Sequence, residues 1–411
     1  MAMHRRKVLK GIAASSVSLA VLKAPYVQAQ GAPFKLGLLT VKTGPLAQGG
    51  IQMEQGVVTY LKEKNYTFAG RKVEFVSADT GGNPAGAKTK AQELVERDKV
   101  DAIFGPLAAF ELLAITDYIA QAKTPLLSLA AAEDLTQRRP NPYFLRASAT
   151  SAQAMHPMAD FAAKELKLKR MITLSEDFAF GHEQMGGFQQ TFEEAGGKIV
   201  KKLWPPLVTP DYAPYLAQIS DCDGVCQGFA GSNPLRFMKQ YASAGLKFPV
   251  VGGETAGDDA LLRSFGDEAI GLYSSCPYTL DLNTDTNKRF IAAMAKDYSV
   301  EPGFYAAGLY VNGMVVEAAL QKTGGKTENK EEFMKALKSV SLADTPRGPI
   351  KFDSYGNVIG DFYVRRCEKA GGRLINKTVK TYKNVSQFWT YDEKKFLAQP
   401  VYSRDFPPLK N

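Results

Sequence analysis

Apolar and polar positions along the chain follow two patterns that predict strands and helices in turn. Short apolar runs, such as the one at 36–41, are typical of buried strands, and longer mixed stretches, such as the one at 83–98, are typical of helices. Because strands that alternate with helices form parallel sheets covered on both faces, this order predicts an α/β fold. Strands are predicted at 36–41, 71–80, 100–106, 125–130, 170–177, 198–204, 223–231, 248–255 and 269–278.

The alternation occurs on both sides of about residue 148, which predicts two similar lobes. After residue 276 the order changes, and helices predominate before a series of short strands. We infer that the chain crosses back between the lobes in this region. The late helices are predicted at 285–297, 304–321 and 330–339, and the short strands at 348–353, 361–371 and 377–385.

The first 30 residues have the features of an export signal. Arg5 and Arg6 precede a small and apolar run at 11–22, which is too short to span a bilayer, and small residues follow at 27 and 29. This order predicts a signal peptide over residues 1–29 and a periplasmic location. The paired arginines resemble a twin-arginine signal, and an ordinary secretory signal is the alternative.

Charge and cysteine content exclude several other classes of protein. The leader carries five cations and no acid, so its removal lowers the formal net charge from +9 to +4, and no block of like charges predicts a nucleic-acid partner. Cys276 and Cys367 are candidates for a disulfide after export, whereas Cys222 and Cys226 are too close to pair if the segment between them is extended. Their spacing is not that of a zinc site, and no metal or cofactor is predicted.

The glycine-rich turn at 44–50 stands where nucleotide-binding proteins place a phosphate loop. Gly44 and Gly49 have the spacing of such a loop, but Gly50 and Ile51 replace the lysine and the hydroxyl residue that phosphate and magnesium require. No serine-hydrolase elbow occurs, and no pair of carboxylates stands out. The chain is therefore not predicted to be an enzyme.

The ends of the predicted strands indicate a binding site instead. They carry small residues and a few aromatics, and Glu254 is the one acid among the glycines at 252–257. Small side chains let a ligand approach backbone N–H groups, and ligands bind at this edge of an open α/β sheet. For Glu254 a role as a helix cap or a solvated acid is the alternative.

In these features the sequence resembles the periplasmic leucine/isoleucine/valine-binding protein family, whose members serve ABC importers. The resemblance implies a type I periplasmic binding protein fold, in which two Rossmann-like lobes joined by a three-crossover hinge enclose a solute. It implies a first lobe at 31–147 and 277–352, a second lobe at 148–276 and 353–390, and a C-terminal strap at 391–411. The likeness is carried by segments 37–50, 78–106, 124–136, 180–200, 237–255, 301–314 and 348–357.

The resemblance also implies a set of ligand-binding residues, which this chain keeps only in part. Glu254 matches the acid that pairs with an amino acid's ammonium group, but Ala109 and Ala132 replace hydroxyl residues, and Ala230 lies near an expected tyrosine. Gly49 replaces a bulky residue. The full set is Leu107, Ala108, Ala109, Ala130, Ala132, Phe180, Ala230, Glu254 and Tyr305.

These replacements leave the class of solute open. The main prediction is a solute-binding protein that carries a small amino acid or a related organic acid to its permease, and that acts as a monomer. Because replacement of larger polar residues by alanine enlarges the site and makes it more apolar, an aromatic carboxylate, an amide or a urea-type solute is the alternative. A ligand-sensing receptor module of the same fold is a further alternative.

Overall fold

The computed structural model of the chain describes residues 32–410, and its strands form two sheets. The predicted signal peptide lies outside the described residues. The first sheet is built from β1 Phe34–Thr40, β2 Thr67–Phe68, β3 Arg71–Asp79, β4 Ala102–Phe104, β5 Leu126–Leu127 and β6 Phe144–Leu145. Its order is β2-β3-β1-β4-β5-β6, and every pair except β2 with β3 is parallel.

The second sheet contains nine strands and is mixed. Its strands are β7 Arg170–Ser175, β8 Lys198–Leu203, β9 Gly224–Gly228, β10 Val250–Gly252, β11 Tyr273–Cys276, β12 Ser341–Leu342, β13 Ile350–Phe352, β14 Val358–Ala370 and β15 Arg373–Val385. The parallel part runs β11-β10-β9-β7-β8. Strand β14 pairs antiparallel with β11, β13 and β15, and β12 pairs antiparallel with β13.

Helices connect the parallel strands and cover the sheets. They are α1 Ala47–Glu63, α2 Pro84–Gln92, α3 Ala109–Ala122, α4 Ser151–Lys164, α5 Ala179–Glu194, α6 Ala213–Leu216, α7 Asn233–Ser243, α8 Asp285–Tyr298, α9 Phe304–Lys322, α10 Lys330–Lys338 and α11 Glu393–Leu397. A π-helical turn, Glu93–Arg97, extends α2, and 3-10 turns occur at Glu133–Thr136, Asp259–Ser264 and Asp267–Ala269. Within residues 32–410 no helix is both long and apolar enough to cross a bilayer.

The apolar strands lie in the centre of each sheet because both of their faces are covered. In β1 the side chains of Leu36, Leu38 and Leu39 are fully buried, as expected for a strand with helices above and below it. The two observed sheets agree with the prediction of two α/β lobes. One difference concerns 341–352, which was assigned to the first lobe: β12 and β13 hydrogen-bond within the second sheet, although Ile350 packs into the core of the first.

All four cysteines are free thiols, so a disulfide between Cys276 and Cys367 is wrong. The register of the second sheet gives the reason. Cys276 lies opposite Tyr363 in the antiparallel pair of β11 and β14, and Cys367 lies four residues farther along β14. Four strand steps span about 13 Å, which is too far for a disulfide.

The C-terminal segment packs along α5 rather than running free as a simple strap. It contains the short helix α11, and the ring of Tyr402 lies against Gly186, where any side chain would collide with it. The hydroxyl of Tyr402 donates to Gln190 Oε1 at 2.5 Å, and Arg404 pairs with Asp177 at 2.6 Å. The segment thereby holds α5 in place beside the loop at 176–178.

Candidate functional site

An enclosed cavity lies where the loops that follow the parallel strands of the two sheets face each other. Its cavity volume is about 20 Å³, which is room for about one water molecule, so the two sides lie close together in this structure. Residues from the first-sheet side are Leu46, Leu107, Ala108, Ala109, Leu129, Ala131, Phe304 and Tyr305, and those from the second-sheet side are Phe178, Phe180, Ala230, Glu254 and Thr255.

The two sides are in direct contact around the cavity. The amide of Ser232 donates to the carbonyl of Pro45 at 3.2 Å. At another point on the rim, the amide of Phe304 donates to Asp258 Oδ1 at 3.0 Å. These hydrogen bonds join the loops of the first sheet to those of the second, so a ligand in the cavity would be enclosed by both.

Aromatic rings form two of the walls. Phe178 and Phe180 stack on each other with centroids 5.9 Å apart at the start of α5. Phe304 and Tyr305, at the start of α9, meet edge to face at 5.3 Å. Since these pairs come from opposite sides of the cavity, a flat apolar ligand would find rings on both of its faces.

Helix N-termini supply the N–H groups at the cavity. Ala109 and Phe110 are the first residues of α3, so their amides have no partner within the helix, and no other acceptor among the described residues takes them. Ala108 differs, because its amide donates to Glu111 Oε2 at 3.1 Å. Free N–H groups and the helix dipole favour an anion at this position.

Glu254 is the one carboxyl group among the residues that line the cavity, and no lysine, arginine or histidine of residues 32–410 lines it. Glu254 is buried, and its Oε2 accepts a hydrogen bond from Gln184 Nε2 at 3.1 Å. Burial raises the pKa of the Glu254 carboxyl to about 8, against hydrogen bonds that lower it. The carboxyl is therefore largely neutral near pH 7.

The structure places seven of the nine predicted residues at the cavity, and ligand contact by all nine stays a prediction. Ala130 and Ala132 do not line it, although Ala131 between them does. The reason is that Arg146 donates to the carbonyls of both alanines, at 3.3 and 2.9 Å, and the amide of Ala132 donates to Glu183. The seven are Leu107, Ala108, Ala109, Phe180, Ala230, Glu254 and Tyr305.

Comparison with known proteins identifies the family. A family profile described as periplasmic binding protein matches residues 33–373. The chain belongs to the periplasmic binding protein family. Its relatives include a Leu/Ile/Val-binding protein homolog 6 from Brucella suis, which is 29% identical over 89% of this chain and 95% of the relative.

Solved structures of periplasmic binding proteins agree with the fold. A solute binding protein of an ABC transporter from Rhodopseudomonas palustris BisB5, in complex with 3,4-dihydroxybenzoic acid, is 34% identical, with a TM-score of 0.81 over 86% of this chain and 98% of that one. A second solute binding protein from R. palustris, in complex with 4-hydroxybenzoate, is 29% identical, with a TM-score of 0.81 over 87% and 98%. The predictions of a type I periplasmic binding protein fold and of a periplasmic solute-binding protein of an ABC transporter are confirmed.

Three buried acids of this periplasmic binding protein were missed by the sequence analysis. Glu176 accepts hydrogen bonds from the amide of Ala230 at 3.0 Å and from the side chain of Asn233 at 2.9 Å. Glu183 accepts from the amides of Ala132 and Glu133, and Glu133 accepts from an amide of α4 at 2.7 Å. Acids that bind backbone amides have no distinctive sequence signal, because the partner N–H groups are present in every residue.

Gly49, which replaces a bulky residue, lies behind the cavity wall. A side chain at this position would meet Leu107 and the ring of Tyr305 at 2.9 Å. The space that a bulky residue would fill is therefore taken by two other residues of the cavity wall. The missing side chain at Gly49 does not enlarge the cavity.

Proposed function

We propose that this protein binds a small aromatic carboxylate between its two lobes and delivers it to the permease of an ABC importer. The observation that carries the proposal is the composition of the cavity. It has aromatic rings on opposite walls, alanines between them and free amides at one helix N-terminus, and no lysine, arginine or histidine of residues 32–410 lines it. A flat ring with one carboxylate matches this arrangement better than an aliphatic amino acid does.

In this arrangement the carboxylate lies at the start of α3, where the amides of Ala109 and Phe110 donate to it. The ring lies between Phe180 and Tyr305, and the far end of the solute faces Glu254. The benzoate-type ligands of the R. palustris proteins support this class of solute. An amino acid would instead place its ammonium group at Glu254, where ionising a buried carboxyl costs free energy.

The remaining features extend the sequence predictions. The pair Arg5 and Arg6 supports export by a twin-arginine signal, and the protein acts as a monomer without nucleic acid and performs no catalysis. Closure is a rotation of the predicted lobes about the three crossovers near residues 147, 276 and 352. The predicted lobes, 31–147 with 277–352 and 148–276 with 353–390, carry the two walls of the cavity, with β12 and β13 of the first lobe joined to the sheet of the second. The C-terminal segment at 391–411 supports the second lobe.

A thermal-shift panel tests the solute class. The purified mature protein is heated with benzoate, 4-hydroxybenzoate, leucine or urea at the same concentration. Since a ligand that binds only the folded state raises the Tm, a solute present at about 100 times its Kd stabilises the protein by about 2.7 kcal/mol. We expect the aromatic acids to raise the Tm and leucine and urea to leave it unchanged. A larger shift with leucine would contradict the proposal.

A further inference from the structure

Gln184 is a fully buried residue of α5 that lies behind the cavity and contacts its one lining carboxyl group. Gln184 Nε2 donates to Glu254 Oε2, and no other side chain of the described residues donates to Glu254. Gln184 Oε1 has no hydrogen-bond partner among the described residues. Buried amide atoms are nearly always paired, so an amide that leaves its oxygen unpaired while donating to Glu254 needs an explanation.

Two glycines make room for this amide. A Cβ at Gly228, at the end of β9, would lie 2.6 Å from Gln184 Oε1, and a Cβ at Gly253, just after β10, would lie 2.6 Å from Gln184 Nε2. From the sequence, the small residues at these strand ends are expected to let a ligand approach. At these two positions the structure places the side chain of Gln184 instead, which fixes the amide in one location.

The surroundings of Glu254 favour a neutral carboxyl. Burial has the largest effect on its pKa and raises it, whereas hydrogen bonds from the backbone amide of Glu254 and from Gln184 lower it in part; the smaller effects of Glu133, from the loop after β5, and Arg365, from β14, oppose each other. Tyr305 of α9 faces the same region with its hydroxyl protonated, because burial raises the pKa of that phenol far above neutral pH. No cation compensates an ionised Glu254 at the cavity wall.

A neutral carboxyl has one carbonyl oxygen and one hydroxyl, and the two differ in what they bind. Because Gln184 donates to Oε2, that oxygen is held as the acceptor, and the proton is placed on Oε1. The carboxyl then offers a hydroxyl donor, which pairs with a neutral oxygen and not with an ammonium group.

We infer that Gln184 is a specificity-determining positioning residue, which orients Glu254 as a hydrogen-bond donor and so selects solutes with a neutral oxygen at the end opposite their carboxylate. This inference rests on the proposed function, since it assumes that the cavity binds the solute. Gln184 itself does not line the cavity and acts through Glu254. The solute class that follows is an aromatic acid with a hydroxyl or carbonyl substituent across the ring from the carboxylate.

The test compares three probes by isothermal titration calorimetry: benzoate, 4-hydroxybenzoate and 4-(aminomethyl)benzoate, which carries an ammonium group. We expect the wild-type protein to prefer 4-hydroxybenzoate over the other two by about tenfold, the effect of one hydrogen bond. In Gln184→Met, which keeps the size of the side chain but removes its donor, the preference over benzoate should fall to about twofold or less. Benzoate affinity should change little.

A control and a pH series separate this role from a structural one. Gln189→Met alters a buried glutamine of the same helix that donates to the carbonyl of Pro408 and not to Glu254, and it should keep the wild-type preference. In the wild-type protein the affinity for 4-hydroxybenzoate should fall as the pH rises from about 7 to about 8.5 and Glu254 ionises. In Glu254→Gln, which is always neutral, that fall should disappear.

The outcomes distinguish the inference from the proposed function. If the wild-type protein binds none of the three probes, the proposed solute class is wrong. If the wild-type protein prefers 4-hydroxybenzoate and Gln184→Met keeps that preference, or weakens all three probes equally with a lower Tm, the proposed function stands and the role of Gln184 is refuted. A preference for 4-(aminomethyl)benzoate would show that Glu254 is ionised and would also overturn the inference.

Discussion

Glu183 is expected to hold the two sides of the cleft together, and its replacement should weaken solute binding. Its carboxyl lies on α5 of the second-sheet side and accepts hydrogen bonds from the amides of Ala132 and Glu133 on the first-sheet side, at 3.1 and 3.0 Å. All three residues are buried. In Glu183→Met both amides lose their acceptor in the closed form, whereas water can pair with them when the cleft opens.

The size of the effect follows from the cost of an unpaired buried amide. That cost is about 1–3 kcal/mol for each group, and entry of water near the rim offsets part of it, so the closed form should lose about 2 kcal/mol relative to the open form. Because a solute is enclosed only in the closed form, its Kd should rise roughly 30-fold. Glu183→Gln keeps an acceptor oxygen and should stay within about threefold of wild type.

Calorimetry with 4-hydroxybenzoate and small-angle X-ray scattering of the unliganded protein measure this prediction. We expect Glu183→Met to bind more weakly and to have a larger radius of gyration than the wild-type protein. Glu194→Met, an exposed position on the same helix, is the matched control and should change neither quantity. An unchanged radius of gyration together with a Kd within threefold of wild type would refute the role of Glu183 in closure.

Three further predictions concern the cavity, a buried acid and the thiols. Ala230→Phe should fill the cavity and abolish the solute-induced rise in Tm, whereas Ala242→Phe, on the exposed face of α7, should retain it. Burial raises the pKa of Glu176 to about 8. The wild-type protein should therefore match Glu176→Gln in stability below about pH 4.5 and become progressively less stable than the variant up to about pH 8. Urea unfolding at several pH values measures this, and a stability difference that is equal at all pH values would contradict it. A thiol reagent should label at most Cys222 in the native protein and all four cysteines after unfolding, and a reducing agent should leave the Tm unchanged, because the thiols are free and three are buried.

The fold was predictable because its signal is local. The buried run of β1 and the boundaries of α9 and α10 are determined by neighbouring residues, and the predicted helices at 304–321 and 330–339 differ from the structure by one residue at one end. The pairing of β12 and β13 was not predictable in the same way, because it depends on residues of β14 that come later in the chain. The position of Cys367 relative to Cys276 likewise depends on the pairing of β11 with β14, which are far apart in the chain.

The site was predictable only where a side chain itself lines the cavity. Phe180, Glu254 and Tyr305 are at the cavity because they follow strands or begin helices at the edge where the two sheets meet. Ala130 and Ala132 lie outside the cavity lining because their orientation is decided by backbone hydrogen bonds to Arg146 and Glu183, which come from distant parts of the sequence, and their contact with a ligand stays a prediction. Nothing in an alanine or in its neighbours records such a partner.

The buried acids behind the cavity explain how a site with few polar side chains can still be selective. Glu176 holds the amide of Ala230, and Glu183 holds that of Ala132, so these N–H groups are withdrawn from the solute. The amides at the start of α3 remain free and offer a position for an anion. In the proposed function a carboxylate pairs with these amides and the far end of the solute faces Glu254, so the orientation of the solute depends in part on which backbone amides the protein has already paired.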